Sequence, residues 1–248
     1  MKNLLVFCSL GALSFASFVA WTSKAYGASI ISAPVSSVAA EAALGLNFVP
    51  VKLDWTPSSG GSEFMRYELQ QSVNDRPFTA VDLTDKKNTF QIMNLVLNAA
   101  YKFRVRGFSA NVTASEWVEG PVFRPVIDSE SAATVHYIGA WVRVPAGAPR
   151  NWGAADKFAR IASVVGAAAT YTFSSPAVAW VASTGPTKGL ADVFIDGTKA
   201  ATVDLFSADS QFGRIVFASG QLKTGVEHKL EIKVRSEQVE VFGFVHLN

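Results

Sequence analysis

The acidic residues of the C-terminal half are the first candidates for chemistry. Asp192 and Asp196 stand four positions apart in an alternating segment, which would place both carboxylates on one face of a strand. Asp204 follows in the next such segment. Two carboxylates are what glycoside hydrolysis requires. Asp196, however, precedes Gly197, and Asp-Gly is a hairpin signal because it tolerates the positive φ of a tight turn. The turn explains Asp196, so the sequence leaves no catalytic pair.

The histidines do not complete a catalytic set either. His136, His228 and His246 each stand alone in a strand-like segment, without a nearby acid or serine and without zinc-ligand spacing. Asp128 and Glu130 come nearest to a calcium loop, but a solvated linker explains them better. No phosphate loop or dinucleotide fingerprint occurs. We therefore predict that the protein is not an enzyme and has no catalytic residue, bound metal or cofactor.

Ligand-binding candidates lie instead in loops. A glycan site needs an exposed aromatic face beside polar groups. Trp152, flanked by Arg150, lies in a segment without strand alternation, whereas Trp180 lies in an apolar strand and is predicted to be core. Lys188, between Pro186 and Gly189, is a weaker candidate. The alternative for Trp152 is a loop plug that caps the sandwich end or the domain interface.

These loops must be positioned by β-strands, because period-two alternation recurs along most of the chain after Ile30. In the first half the pattern predicts seven strands. The second half continues it from Ala169 to Val245, with Leu230, Ile232 and Val234 directed inward, and predicts eight or nine antiparallel strands, as in a jelly roll. The predicted fold class is all-β, with two antiparallel β-sandwiches.

The stretch from about 34 to 125 resembles a fibronectin type III domain. The matching residues are Trp55, Tyr67, Leu69, Leu95, the alternating run from Tyr101 to Arg106, Trp117 and Gly120-Pro121. The resemblance implies that the hydroxyl of Tyr101 forms a hydrogen bond back over the preceding corner. It also implies an Ig-like sandwich. Arg104 and Arg106 are interpreted as part of an ordinary solvated polar face.

The stretch from about 133 to 248 resembles a galactose-binding-like jelly-roll module of the kind found in secreted bacterial proteins. The matching segments are Gly166–Phe173, Ala179–Ser183, Gly185-Pro186, Gly189, Val193–Gly197, Val203–Leu205, Gly225 and His228–Leu230. The resemblance implies a non-catalytic domain that often binds glycans through loops at one end of the sandwich. It supports a binding role more strongly than it supports a sugar as the ligand.

The first residues predict export. Residues 1–27 combine Lys2, an apolar run from Leu4 to Trp21, and small residues at Ala25 and Gly27, as in a secretory signal cleaved after Gly27. An uncleaved membrane anchor is the alternative, because the run is near the lower limit for crossing a bilayer. The predicted modules are 28–126 and 127–248, with a short linker after Pro125.

Cysteine content and charge restrict the function further. Cys8 is the only cysteine, so the mature chain would have no disulfide. The formal charge of +2 comes from Lys2 and Lys24, since residues 1–27 contain no acid, and a near-neutral mature chain argues against nucleic acid. No membrane insertion is expected after signal removal. We predict a secreted or extracytoplasmic protein that recognises a glycan or an extracellular protein; the alternative is a structural or assembly component of a protein complex without a glycan ligand.

Overall fold

The computed structural model of the protein describes residues 31–45, 47–57, 64–146 and 158–248. Every regular element in these ranges is a β-strand, and the strands form five antiparallel sheets. The predicted fold class, all-β with two antiparallel sandwiches, is confirmed. Within the same ranges, no helix is long and apolar enough to cross a membrane.

The first module is a two-sheet sandwich with the seven strands that the sequence predicts. They are β1 (Val35–Val38), β2 (Phe48–Asp54), β3 (Phe64–Val73), β4 (Thr79–Val81), β5 (Phe90–Val96), β6 (Tyr101–Ser109) and β7 (Val118–Glu119). One sheet has the order β1-β2-β5 and the other β4-β3-β6-β7. Alternate residues of β2 and β6 point into the core, so that Val51, Leu53, Phe103 and Val105 are almost fully buried.

A tyrosine secures the corner between β5 and β6. The backbone N–H of Val96 donates to Tyr101 Oη at 2.9 Å, and Asn98, at the corner itself, has a φ of 62°. This is the hydrogen bond that the resemblance implies for Tyr101. Burial raises the pKa of the Tyr101 hydroxyl, and the Val96 hydrogen bond opposes that shift.

The outer face of the β4-β3-β6-β7 sheet carries a stack of guanidinium groups and aromatic rings. Arg104 lies 4.1 Å from the Phe78 ring and 4.6 Å from Trp117, and Arg106 lies 4.5 Å from Trp117 and 5.1 Å from Phe108. These separations are within cation–π range. Arg104 and Arg106 lie on the outer face of β6, as predicted, and they also form hydrogen bonds with Gln70 and Glu68. The sequence alternation did not reveal the rings that stack on them, because those rings come from other segments of the chain.

The second module is also a sandwich, with more strands than predicted. They are β8 (Pro125–Ser129), β9 (Val135–Ile138), β10 (Val142–Pro145), β11 (Phe158–Ala162), β12 (Ala168–Phe173), β13 (Val178–Thr184), β14 (Leu190–Ile195), β15 (Thr198–Asp204), β16 (Gln211–Ala218), β17 (His228–Val234), β18 (Val239–Val241) and β19 (Gly243–Leu247). Its main sheets are β15-β14-β17-β12-β9 and β16-β13-β19-β8, and a small sheet β10-β11-β18 adds the strands that the count of eight or nine missed.

The segment predicted as a solvated linker is part of this sandwich. Asp128 lies in β8, which pairs with β19, and Glu130 is 0% exposed. The Nε of Arg143 donates to Glu130 Oε1 at 2.8 Å, so an ion pair accompanies the burial of this carboxylate. Because the residues at both positions are polar, the sequence pattern did not indicate a strand here. The partner strand lies about 115 residues away in sequence, as the pairing of Asp128 with Phe244 shows.

One apolar core contains residues of both modules, and a second core lies inside the second sandwich. β13 is buried on both faces, since Val178 and Trp180 face the interior of the second sandwich, whereas Ala179 and Val181 join the core of the first module. The first module therefore packs on the outer face of the β16-β13-β19-β8 sheet. A strand that is apolar on both faces is what a buried middle layer requires.

Candidate functional site

A cleft of about 620 Å³ lies on one side of the second sandwich, where the edges of its two main sheets face each other. One wall is the edge strand β15, and the other is the edge strand β16. We call this the edge cleft and define it by Glu41, Thr184, Asp204, Phe206, Gln211 and Arg214. An edge strand presents backbone N–H and C=O groups without a strand partner, so the β15 wall offers hydrogen-bonding groups along its length.

Two aromatic residues line the edge cleft: Phe206, which is 60% exposed, and Phe217, which is partly buried. Phe206 lies two residues after the end of β15, and its N–H donates to Asp204 Oδ1 at 2.8 Å. A parallel bridge joins Phe206 to Gly185, and Ser207 N donates to Gly185 O at 3.2 Å. The exposed ring therefore stands on a backbone fixed by hydrogen bonds on both sides.

The loop that supports Phe206 is itself held by Lys188. Lys188 Nζ lies 2.6 Å from Glu240 Oε2 and donates to Gln238 Oε1 at 2.8 Å. Ser183 Oγ donates to Glu240 Oε1 at 2.7 Å. The side chains of Lys188 and Glu240 are only 12% and 9% exposed, so this is a buried ion pair with additional hydrogen bonds.

Arg214 supplies the cationic donor of the edge cleft. Its Nη2 donates to the backbone carbonyl of Glu41, which belongs to the first module, and among the described residues no carboxylate forms an ion pair with it. Gln211 adds an exposed amide, and Thr184 adds a hydroxyl at the end of β13. Hydrogen-bond donors and acceptors thus surround the exposed ring of Phe206.

Two carboxylates, those of Glu41 and Asp204, also line the edge cleft. Both residues are exposed. A glycosidase acid is usually held protonated by an apolar enclosure, which an exposed carboxylate lacks. Both carboxylates can accept hydrogen bonds from a ligand.

The histidines have acid partners that the sequence did not reveal. His228 Nδ1 lies 2.7 Å from Asp196 Oδ2, and His246 Nε2 lies 3.5 Å from Asp128 Oδ2. Tyr171 Oη donates to the same Asp128 oxygen at 2.6 Å. Sequence reasoning missed both pairs because the partners are far apart in sequence: Asp196 lies in the β14–β15 turn and His228 in β17, and Asp128 lies in β8 and His246 in β19. His228, His246 and Tyr171 are all buried, and none of them lines the edge cleft.

These contacts shift the pKa values of the acids and of one histidine. The hydrogen bond to the Lys223 carbonyl, followed by that to Asp196, raises the pKa of His228. The His228 contact in turn lowers the pKa of Asp196. The His246 contact, assisted by Tyr171, lowers the pKa of Asp128 although burial opposes that shift. Asp196 keeps its predicted turn role as well, with a φ of 50° before Gly197.

The predicted site residues have different outcomes. Trp152 and Arg150 lie outside the described residues, so their ligand-binding role stays a prediction. Lys188 lies near the edge cleft but is engaged with Glu240, and its ligand role also stays a prediction. Trp180 is fully buried, as expected. Phe206 was missed; the available signal was an aromatic residue two positions beyond the end of a strand and before the mostly polar Ser207–Gln211 segment.

Among the described residues, no group of three or more His, Cys, Asp or Glu side chains is arranged to hold a metal ion. The edge cleft is lined by one guanidinium, two carboxylates, hydroxyl and amide groups, and two aromatic rings.

No protein-family model matches the sequence, and no curated protein matches it. Among solved structures, a family two carbohydrate esterase from Cellvibrio japonicus is 18% identical, with a TM-score of 0.36 over 51% of this chain and 34% of the esterase. A xanthan lyase from Paenibacillus is 15% identical, with a TM-score of 0.39 over 87% of this chain and 25% of the lyase. A carbohydrate-binding module in complex with calcium and xylotriose is 11% identical, with a TM-score of 0.31 over 50% of this chain and 98% of the module. The chain thus spans about a third of the esterase and a quarter of the lyase. Likeness at this level assigns neither activity nor ligand to this chain.

Proposed function

We propose that this chain is an exported, non-enzymatic recognition protein that binds a glycan in the edge cleft, at the cell envelope or outside the cell. The observation that carries the proposal is the 60% exposed ring of Phe206 beside hydrogen-bonding side chains in a cleft of about 620 Å³. The C–H face of a sugar packs against an aromatic ring while its hydroxyls exchange hydrogen bonds with polar groups around it.

In this proposal the first sandwich is a fibronectin type III domain that serves as a scaffold. The strand orders β1-β2-β5 and β4-β3-β6-β7, together with the hydrogen bond from Val96 to Tyr101, support this assignment. The second sandwich is a galactose-binding-like module. Its two main antiparallel sheets support the jelly-roll part of that assignment.

Export is proposed from residues 1–27, whose charged start, apolar run and small residues are typical of a cleaved signal. N-terminal sequencing of secreted protein should begin near Ala28. Full-length protein that begins at Met1 and stays in the membrane fraction would replace the signal with an anchor.

The non-enzymatic part of the proposal rests on the exposure of Glu41 and Asp204 and on the position of both histidine–acid pairs outside the edge cleft. Incubation of the mature protein with neutral polysaccharides should release no reducing ends and no acetate above the blank. Release that the Asp204→Asn variant abolishes would show that the cleft is catalytic.

A glycan array tests the recognition role directly. The mature protein should bind a subset of glycans, and soluble forms of those glycans should compete. A silent array combined with recovery of a stable complex with a protein would favour the structural alternative. That alternative has one observation of its own, since Ile138 and Val142 of the edge strands β9 and β10 are 70% and 59% exposed and offer an apolar contact surface.

A further inference from the structure

The edge cleft is built by both modules. The segment between β1 and β2 pairs with the outer edge of β16: Glu41 N donates to Ile215 O, and Ile215 N donates to Ala42 O, both at 2.9 Å. Leu44 N donates to Gly213 O at the same distance. The first module thus adds a short strand to the β16-β13-β19-β8 sheet, and this strand forms one lip of the cleft.

The position of the Arg214 side chain depends on that added strand. Its guanidinium donates to the backbone carbonyl of Glu41, and Ala43 forms a bridge with Arg214 itself. Apolar packing also attaches the added strand to β16, because Val38 and Leu44 belong to the same core as Ile215. The position of the cationic donor in the cleft is therefore set by the backbone of the first module.

The charges of the cleft lining are unequal. Glu41 from the first module and Asp204 from the second are both exposed carboxylates, whereas Arg214 is the one cationic residue among the lining residues. Two anions against one cation make the lining negative. At physiological salt such charges act over about 8 Å, which covers the breadth of one or two sugar rings.

We infer that the ligand of the edge cleft is a neutral glycan that contacts both modules. Glu41 and Asp204 accept hydrogen bonds from its hydroxyls, and their negative charges repel glycans that carry carboxylates. Arg214 donates to the ligand from the position that Glu41 fixes. This inference rests on the proposed function and specifies its ligand class.

Paired probes test the charge selection. Neutral β-glucan, galactan and mannan oligosaccharides are immobilised beside the same preparations oxidised at C6 to uronates, and the mature protein is applied to both. The neutral member of each bound pair should bind several-fold to about tenfold more strongly. The preference should shrink in the Glu41→Gln/Asp204→Asn double variant and at raised salt.

A second comparison tests the joint construction. Glu41 has a φ of 59°, which proline cannot adopt, and its N–H bonds Ile215 O. Glu41→Pro should weaken binding of the neutral glycan at least several-fold, whereas Glu41→Gln removes the charge but keeps the backbone contact and should weaken binding much less. Arg214→Gln gives a readout that does not depend on how Glu41→Pro folds, and it should also weaken binding.

The outcomes separate this inference from the proposed function. Binding of oxidised members as tight as that of neutral ones overturns the charge selection, while glycan recognition itself stands. Wild-type affinity in both the folded Glu41→Pro variant and Arg214→Gln overturns the joint construction. No binding to any pair overturns the proposed function together with this inference.

Discussion

Both ring nitrogens of His228 face hydrogen-bond acceptors. Nδ1 lies 2.7 Å from Asp196 Oδ2, and Nε2 lies 2.8 Å from the carbonyl oxygen of Lys223. A neutral imidazole has one donor and one acceptor nitrogen, so it would leave a lone pair against an oxygen. The folded state therefore favours the doubly protonated ring, which joins the β14–β15 turn to the segment before β17.

This pair predicts a pH dependence of stability. The Lys223 and Asp196 contacts raise the pKa of His228 in the folded protein, so its stabilising contribution is complete below the unfolded value of about 6.5 and is lost as pH rises through the folded pKa. The lowered pKa of Asp196 means that its contribution is lost only as pH falls through that lowered value. Stability from the pair is thus greatest in mildly acidic solution.

The measurement is urea unfolding of wild type and His228→Gln from pH 5 to 9. The difference in unfolding free energy between them should decrease as pH rises above about 6.5. Comparison with the variant removes the titration of the other histidines. A difference that is constant over this range would contradict the imidazolium assignment.

Tyr101→Phe tests the β5–β6 corner. The substitution keeps the ring in the core of the first module and removes the hydroxyl that accepts from Val96 N–H. It should lower the unfolding free energy by about 1 kcal/mol, because the Val96 N–H loses its hydrogen-bond partner within the protein. Chemical denaturation measures the change, and an unchanged midpoint would show that the corner hydrogen bond does not stabilise the fold.

Lys188→Met tests the support beneath Phe206. It would leave the Glu240 carboxylate buried without its cation, and breaking a buried ion pair from one side costs roughly 3–5 kcal/mol. The Lys188→Met/Glu240→Leu double variant should recover most of that loss, since both charges are then gone. Lys233→Met, at an exposed position, is the control. If Lys188→Met were no more destabilising than this control, the pair would have no structural role.

The stacked face of the first module makes a separate prediction. Trp117→Ala removes the ring shared by Arg104 and Arg106, and two cation–π contacts of about 0.5–1 kcal/mol each would be lost. The midpoint of denaturation should fall accordingly, whereas Glu116→Ala at the neighbouring exposed position should change it little. Equal effects of the two substitutions would contradict a stabilising stack.

Period-two alternation predicted the regular parts of the fold well. It identified the core faces of β2, β6 and β17 and the turn at Asp196, because these depend on local pattern and turn chemistry. It failed for β8, where Asp128 and polar neighbours resemble a linker, since only pairing with the distant β19 makes this segment a strand.

The candidate site was less predictable for a related reason. The edge cleft joins Glu41 from a loop of the first module to Asp204 and Arg214 on two different sheet edges. No local spacing connects these residues. The exposure of Phe206 depends on the Gly185 bridge, a contact between two loops that alternation does not encode.

The most direct test of the account is the affinity of the mature protein for its best neutral array glycan, measured by calorimetry for wild type, Phe206→Ala and Phe212→Ala. Phe212 is 42% exposed on β16 but does not line the edge cleft, so it is a matched control. Loss of the stacking ring should weaken binding about tenfold in Phe206→Ala, while Phe212→Ala should bind as wild type does. Unchanged affinity in Phe206→Ala would contradict glycan recognition by the edge cleft.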